Sequence, residues 1–194
     1  MKSSEKKFNL IKSSFKIIEE SGWKSFSFQK LSYSEKVPID EIKKFFKSEI
    51  SILDEFSKMI DIKVEKNFDY EELGSTSVKD NLFELIMLRL EFMQPYRNAL
   101  KSIKSNFRSD PLIAKSVAKN VMNSLDFYLE LTMAFNDSFL DIFKKKSIFL
   151  IYSYIFNIWL EDNSEELSKT MSELDKLLTF SEKIALNLKT YTPF

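Results

Sequence analysis

Leu10-Ile-Lys-Ser-Ser-Phe-Lys-Ile-Ile-Glu-Glu-Ser-Gly-Trp23 is the stretch that decides the fold. Together with Phe8 just before it, Ile11, Phe15 and Ile18 recur at i, i+3, i+7 and i+10, the signature of one buried helix face. Gly22 ends the run, where a left-handed C-terminal cap is expected. A short second helix carries Phe28 and Leu31, and a tight break at Lys36-Val37-Pro38 leads to a third over Asp40 to Phe46 with Ile42, Phe45 and Phe46 inward. Pro38 suits the entry to that helix, where a missing N–H costs nothing. Three short helices with a tight turn between the second and third form a helix-turn-helix, whose third helix enters the DNA major groove.

The remainder reads the same way. Two Gly and four Pro in 194 residues, with few runs of β-branched alternation, predict an all-α fold. A fourth helix, Glu49 to about Asn67, buries Ile50, Leu53, Phe56, Ile60 and Val64. Further helices are expected over Val78 to Met93, Tyr96 to Ile103, Leu112 to Phe135, Phe139 to Leu160 (after a break at Asn136-Asp137) and Ser164 to Leu188, about nine in all. Ser164 followed by Glu165 and Glu166 predicts an N-cap with acidic first-turn residues.

Absences narrow the chemistry. The chain has no Cys and no His. A thiol nucleophile, a Cys- or His-based metal site, a Ser-His pair and a histidine pH switch therefore all fall away. Two glycines cannot build a phosphate-cradling loop. No enzyme activity, cofactor or metal is expected. The opening Lys2-Ser-Ser-Glu-Lys-Lys7 is not a secretory signal. The longest apolar-dominated stretch, Ile148 to Leu160, is 13 residues against the ~20 that a membrane span needs. A cytoplasmic protein without a membrane span is expected.

Charge is uneven beneath a net of zero. Residues 1–48 hold 11 Lys and six acids, whereas the rest hold 18 Lys+Arg and 23 acids. A basic N-terminal module on an acidic body points to an anionic partner for the module.

Leu10–Trp23, with Ser27-Phe-Gln-Lys-Leu31, Val37-Pro-Ile-Asp-Glu-Ile42, Phe45-Phe46 and Ile52-Leu53, resembles the N-terminal DNA-binding domain of TetR-family transcriptional regulators over about 50 residues. Leu88-Arg-Leu-Glu-Phe-Met-Gln-Pro-Tyr96, Trp159-Leu-Glu-Asp-Asn-Ser-Glu-Glu-Leu167 and Met171-Ser-Glu-Leu-Asp175 resemble a ligand-domain subtype of alphaproteobacterial members. TetR-like lipid-binding proteins of ubiquinone biosynthesis share that architecture. The resemblance implies a DNA-binding domain over residues 1–48, and a helical ligand-binding and dimerisation domain over 49–194. It implies a homodimer on a double-stranded operator, released when a small apolar effector enters the body. The alternative is a lipid or quinone-intermediate carrier with a vestigial helix-turn-helix.

By that resemblance Ser27 stands where the family touches phosphate at a helix N-terminus. Lys43 stands where the family usually has a recognition-helix Tyr. Lys43 and Lys44 would face the backbone or groove, with Lys24, Lys30 and Lys47 nearby, Gln29 as a polar contact and Pro38 and Ile39 at the reading helix's entry. Four positions depart from the pattern. Lys36 replaces a glycine before the turn valine. Asp40 and Glu41 place acids in the reading helix's first turn, where they suit its dipole yet repel phosphate. Glu49 stands where many members carry a phosphate-contacting Lys. Residues 1–48 also contain no Arg, so bidentate arginine–guanine reading is absent.

In the body, Phe83, Met87, Leu90, Met93, Tyr96, Met122, Leu125, Tyr128 and Leu131 either line an apolar ligand cavity or are plain core. Arg89 and Arg97 either meet an acidic ligand group or form surface ion pairs with neighbours such as Glu84 and Glu91. Ile148, Ile151, Tyr152, Ile155 and Trp159, with Leu167, Met171, Leu174 and Leu178 at 4-3-4 spacing, are read as a four-helix dimer interface or as packing within one chain.

Overall fold

The computed structural model describes residues 2–71, 73–135 and 141–191. Regular structure among them is entirely helical: α1 (Lys2–Ser21), α2 (Phe28–Glu35), α3 (Ile39–Phe45), α4 (Ser51–Asn67), α5 (Val78–Met93), α6 (Arg97–Ser105), α7 (Pro111–Leu131), α8 (Asp141–Glu161) and α9 (Ser168–Tyr191). Single 3-10 turns stand at Trp23–Ser25, Gln94–Tyr96 and Glu165–Leu167. The chain divides into two compact units, Met1–Lys63 with Met93–Val121, and Val64–Phe92 with Met122–Phe194. The expected break at Asn136-Asp137 and helix start at Phe139 lie outside the described residues.

In the first unit α1 buries Leu10, Ile11, Phe15 and Ile18, while Phe8, expected inward, is half-buried near the chain's start. Phe15 stacks on Phe56 of α4 with ring centroids 4.0 Å apart, and Tyr96 meets both edge-on at 5.4 and 5.0 Å. Three rings thus pin α1, α4 and the Gln94–Tyr96 turn together, each pair adding about 0.5–1.5 kcal/mol beyond burial. Polar ties complete the frame. Asp54, in the first turn of α4, accepts from Ser116 Oγ at 2.7 Å and Asn120 Nδ2 at 2.8 Å on α7. Glu55 pairs with Lys7 of α1 and, at 2.7 Å, with Lys58. The Trp23 N–H donates to Ser102 Oγ of α6 at 3.1 Å, and Asn98 Nδ2 donates to Glu19 at 2.8 Å.

Gly22 does end α1, its N–H donating to the Ile18 carbonyl at 2.9 Å, but not in the expected left-handed helical form. Its φ of 81° and ψ of 157° lie in a region essentially restricted to glycine. A Cβ there would meet Ser102 Oγ at 3.6 Å, an ordinary contact, so backbone strain alone demands the glycine.

The second unit is built on α5, the end of α7, α8 and α9. Leu85, Ile86 and Leu90, Leu125 and Tyr128, and Ile148, Tyr152, Ile155 and Trp159 are all buried. Arg89 is no surface residue. It is 3% exposed, and its Nε donates to Tyr152 Oη at 3.2 Å, which places the guanidinium inside the unit.

The start of α9 also differs from expectation. Glu166 and Leu167 take positive φ values of 50° and 58°, so Glu165–Leu167 is a separate turn and α9 begins at Ser168. The principal cap is Asp162, which is buried. Its Oδ2 accepts from the N–H and hydroxyl of Thr170 at 2.8 and 2.6 Å, and its Oδ1 accepts from the N–H and hydroxyl of Ser164. Ser164 assists through its Oγ, which accepts from the Lys169 N–H at 3.1 Å. Burial works to raise the Asp162 pKa, but the bonds from Ser164 and Thr170 overcome it and hold the carboxyl at about 2. The buried stripe is Thr170, Leu174 and Leu178, whereas Leu167 is half-buried and Met171 is exposed.

Candidate nucleic-acid interface

The helix-turn-helix is assembled from α2, α3 and the turn between them. Ser27 is the N-cap of α2, its Oγ accepting from the Lys30 N–H at 3.3 Å and its O–H left able to donate outward. Phe28 and Leu31 are buried beneath α2, so Gln29, Lys30 and Tyr33 share its exposed side. Tyr33, at 89% exposure, escaped the sequence reading; its signal was its place one turn beyond Gln29 and Lys30, opposite Leu31.

Lys36 supplies the turn. It caps α2 at φ 54° and ψ 36°, with its N–H and that of Val37 both donating to the Ser32 carbonyl. A lysine therefore adopts the left-handed conformation that glycine usually takes, at a cost of about 1–2 kcal/mol. Pro38 then caps α3, its carbonyl accepting from the N–H of Glu41 at 3.0 Å and of Ile42 at 3.2 Å. Ile42 and Phe46 fill the interior and Phe45 is half-buried.

Every basic residue read from the sequence lies on the outside. Lys24, Lys30, Lys43, Lys44 and Lys47 are exposed, together with Gln29 and Pro38, while Ser27 and Ile39 are half-buried. Lys47 sits just past the end of α3, in a bend after the extended Phe46. None of these five lysines forms an ion pair with a described residue. The acids of α3 differ from one another. Asp40 is exposed, but Glu41 pairs with Lys6 of α1, thirty-five positions earlier. That hydrogen bond, against a smaller opposing effect of burial and with help from the charges of Lys6 and Lys44, lowers the Glu41 pKa. Glu41 therefore stays ionised with its charge offset from within. Glu49 is half-buried and does not join the lysine face; it lines a cleft with Trp23, Lys24 and Asp110.

The residues read as ligand-lining are scattered in kind. Leu90, Leu125, Tyr128 and Met87 are buried in the second unit, and Phe83 and Leu131 are half-buried there. Met122 is exposed, on the outer side of α7. Met93 and Tyr96 belong to the first unit, where Tyr96 is taken up by Phe15 and Phe56. Of the nine residues read as a dimer face, Ile148, Tyr152, Ile155, Trp159, Leu174 and Leu178 are buried within the single chain. Ile151 and Leu167 are half-buried and Met171 is exposed. Because α8 is apolar around most of its circumference, sequence alone could not say which side turns inward. Outward apolar side chains on α8 and α9 include Leu150, Tyr154, Phe180 and Ile184.

No family model matches the sequence, and no curated protein matches it. Among solved structures the chain is similar to a TetR transcriptional regulator from Nitrosomonas europaea ATCC 19718, with a TM-score of 0.74, 17% identity, and coverage of 91% of this chain and 97% of that one. The likeness establishes the fold: the chain is all-α and TetR-like. No described helix is long and apolar enough to cross a membrane.

Proposed function

We propose that this chain is a homodimeric DNA-binding transcriptional regulator whose grip on an operator is modulated by a small apolar ligand held in the residues after 48. One observation carries the reading. Five exposed lysines, none ion-paired with a described residue, surround a capped helix-turn-helix, and of the two acids in the first turn of α3 Asp40 is exposed and Glu41 is offset by Lys6. An unpaired cationic face is what a polyanionic duplex requires, and the Ser27 hydroxyl sits at the N-terminus of α2, where backbone N–H groups and the helix dipole favour phosphate. Leu150 and Tyr154 on α8 and Phe180 and Ile184 on α9 offer the apolar surface for a second copy; the six inward residues do not. Release by a ligand then requires it to distinguish the DNA-competent state from the other by a few kcal/mol.

Binding of the full-length protein to duplex DNA from upstream of its own gene, followed by fluorescence anisotropy across a salt series, tests this. Five lysines each neutralising one phosphate contribute about −4.5 per head to the slope of log affinity against log salt. A slope near zero, or equal weak binding to a scrambled duplex at ~0.15 M salt, overturns the reading. It would leave the lipid-carrier alternative, which the exposed Met133, Ile142 and Phe143 favour, since solvent-facing apolar side chains suit a membrane surface.

A further inference from the structure

Glu49, which by resemblance occupies a phosphate-binding lysine's position, has a setting of its own. At the entry to α4 it lines a cleft of about 450 Å³ that also takes in Trp23, Lys24, Phe26, Asp110 and Ile113, all within the first unit. That volume is sufficient for a small organic molecule. None of the ionic groups around it is ion-paired with a described residue. Neither Glu49 nor Lys24 makes a side-chain hydrogen bond or ion pair with a described residue. Asp110 Oδ1 accepts from the N–H groups of Leu112 and Ile113 at 3.1 and 3.4 Å, capping α7, and Oδ2 is left over. Two acidic residues and one lysine line the cleft, leaving it one positive charge short. Trp23 and Phe26, buried at 9% and 7% exposure with ring centroids 6.0 Å apart, give the cleft an aromatic border.

We infer that this cleft binds a small organic ammonium compound with an apolar body, its charged nitrogen shared by Glu49 and Asp110 and its apolar part against Ile50 and the exposed rims of Trp23 and Phe26. An anion would meet both carboxylates. The segment 23–26 runs directly into Ser27, and Lys24 belongs to the cleft and to the lysine face alike. Occupancy therefore alters DNA affinity; that consequence rests on the proposed function, whereas the binding itself does not.

The test uses the intact protein and phenethylamine, with 3-phenylpropionate as its anionic counterpart, read by tryptophan emission. Trp23 borders the cleft and Trp159 is buried in the second unit, so a cleft-bound amine perturbs Trp23 alone. Saturable change is expected with the amine and not with the acid, lost in Trp23→Phe. Affinity should weaken about three- to tenfold in Glu49→Gln, and strengthen about twofold in Lys24→Ala, which removes a like charge. No saturable response up to millimolar amine, an equal response to the acid, or undiminished affinity in Glu49→Gln overturns the proposal. Each outcome is independent of whether DNA is bound.

Discussion

Replacing Asp162 with Asn should remove a definite share of stability, and remove it in a pH-dependent way. The wild-type carboxylate is buried and accepts four hydrogen bonds, two from backbone N–H groups that would otherwise be orphaned in the chain's approach to α9 and in its first turn. The folded pKa is about 2 against an ordinary 3.8, so the group binds its proton more weakly in the folded state. Stability from it is fully present above pH 3.8 and is lost as the pH falls through the folded value. A shift of nearly two units corresponds to about 2.4 kcal/mol at pH 7, of which about half remains at pH 3 and little at pH 2. An asparagine keeps the shape and one acceptor but turns an N–H₂ toward the Thr170 or Ser164 donors. Urea unfolding of both proteins at pH 7, 3 and 2 is the assay. The gap between them should be about 2 kcal/mol at pH 7 and close by well over half at pH 2. A gap that is constant with pH, or absent at pH 7, would refute the argument that an ionised Asp162 holds the start of α9.

Other consequences are as direct. Lys36→Gly should stabilise the chain by about 1 kcal/mol in a thermal melt, because the residue already adopts φ 54° and ψ 36°. Gly22→Ala should destabilise it by about 1–3 kcal/mol, since φ 81° with ψ 157° admits no Cβ without strain even though the space is open. Lys43→Ala and Lys44→Ala should each lessen the salt slope of DNA binding by about 0.9 and leave the melting temperature unchanged. Leu150→Lys with Tyr154→Lys should convert a dimer to a folded monomer in sedimentation velocity, because both side chains point outward, whereas Ile155→Lys should unfold the second unit by burying a charge.

Periodicity carried most of the fold because it is a local property. The stripe Ile11, Phe15, Ile18 and the ends of α5 need only the helical repeat, and Gly22 and Pro38 punctuate where their backbone chemistry allows. Periodicity fails where a helix is apolar all round or where a kink resets the phase. On α8 both Ile155 and Leu150 read as apolar, and only packing decides that Ile155 is buried and Leu150 is 67% exposed. Before α9 two positive-φ residues, Glu166 and Leu167, take Leu167 out of the helical register, and within α9 the buried row runs at i, i+4 and i+8 through Thr170, Leu174 and Leu178, so Thr170 goes in where Met171 was expected. Asp162 was passed over for the same reason. Its partners sit two and eight positions along a chain whose bend is invisible in the spacing.

The lysine face shows the same division between local and distant causes. That Lys43 and Lys44 are exposed follows from Ile42 and Phe46 being apolar, a relation within one turn of helix. That Glu41 does not cancel them depends on Lys6, which lies on α1, thirty-five positions away in the chain. An acid in the first turn of a reading helix thus has two opposite meanings. Unpaired, it repels phosphate; paired to a lysine behind it, it is held ionised beside the helix dipole while its far field is reduced. Glu41→Gln with Lys6→Gln separates the two, because it removes both charges and leaves the net charge unchanged. DNA affinity at low salt should change little, since the pair is already neutral at a distance. A several-fold rise would show that Glu41 opposes phosphate in spite of Lys6.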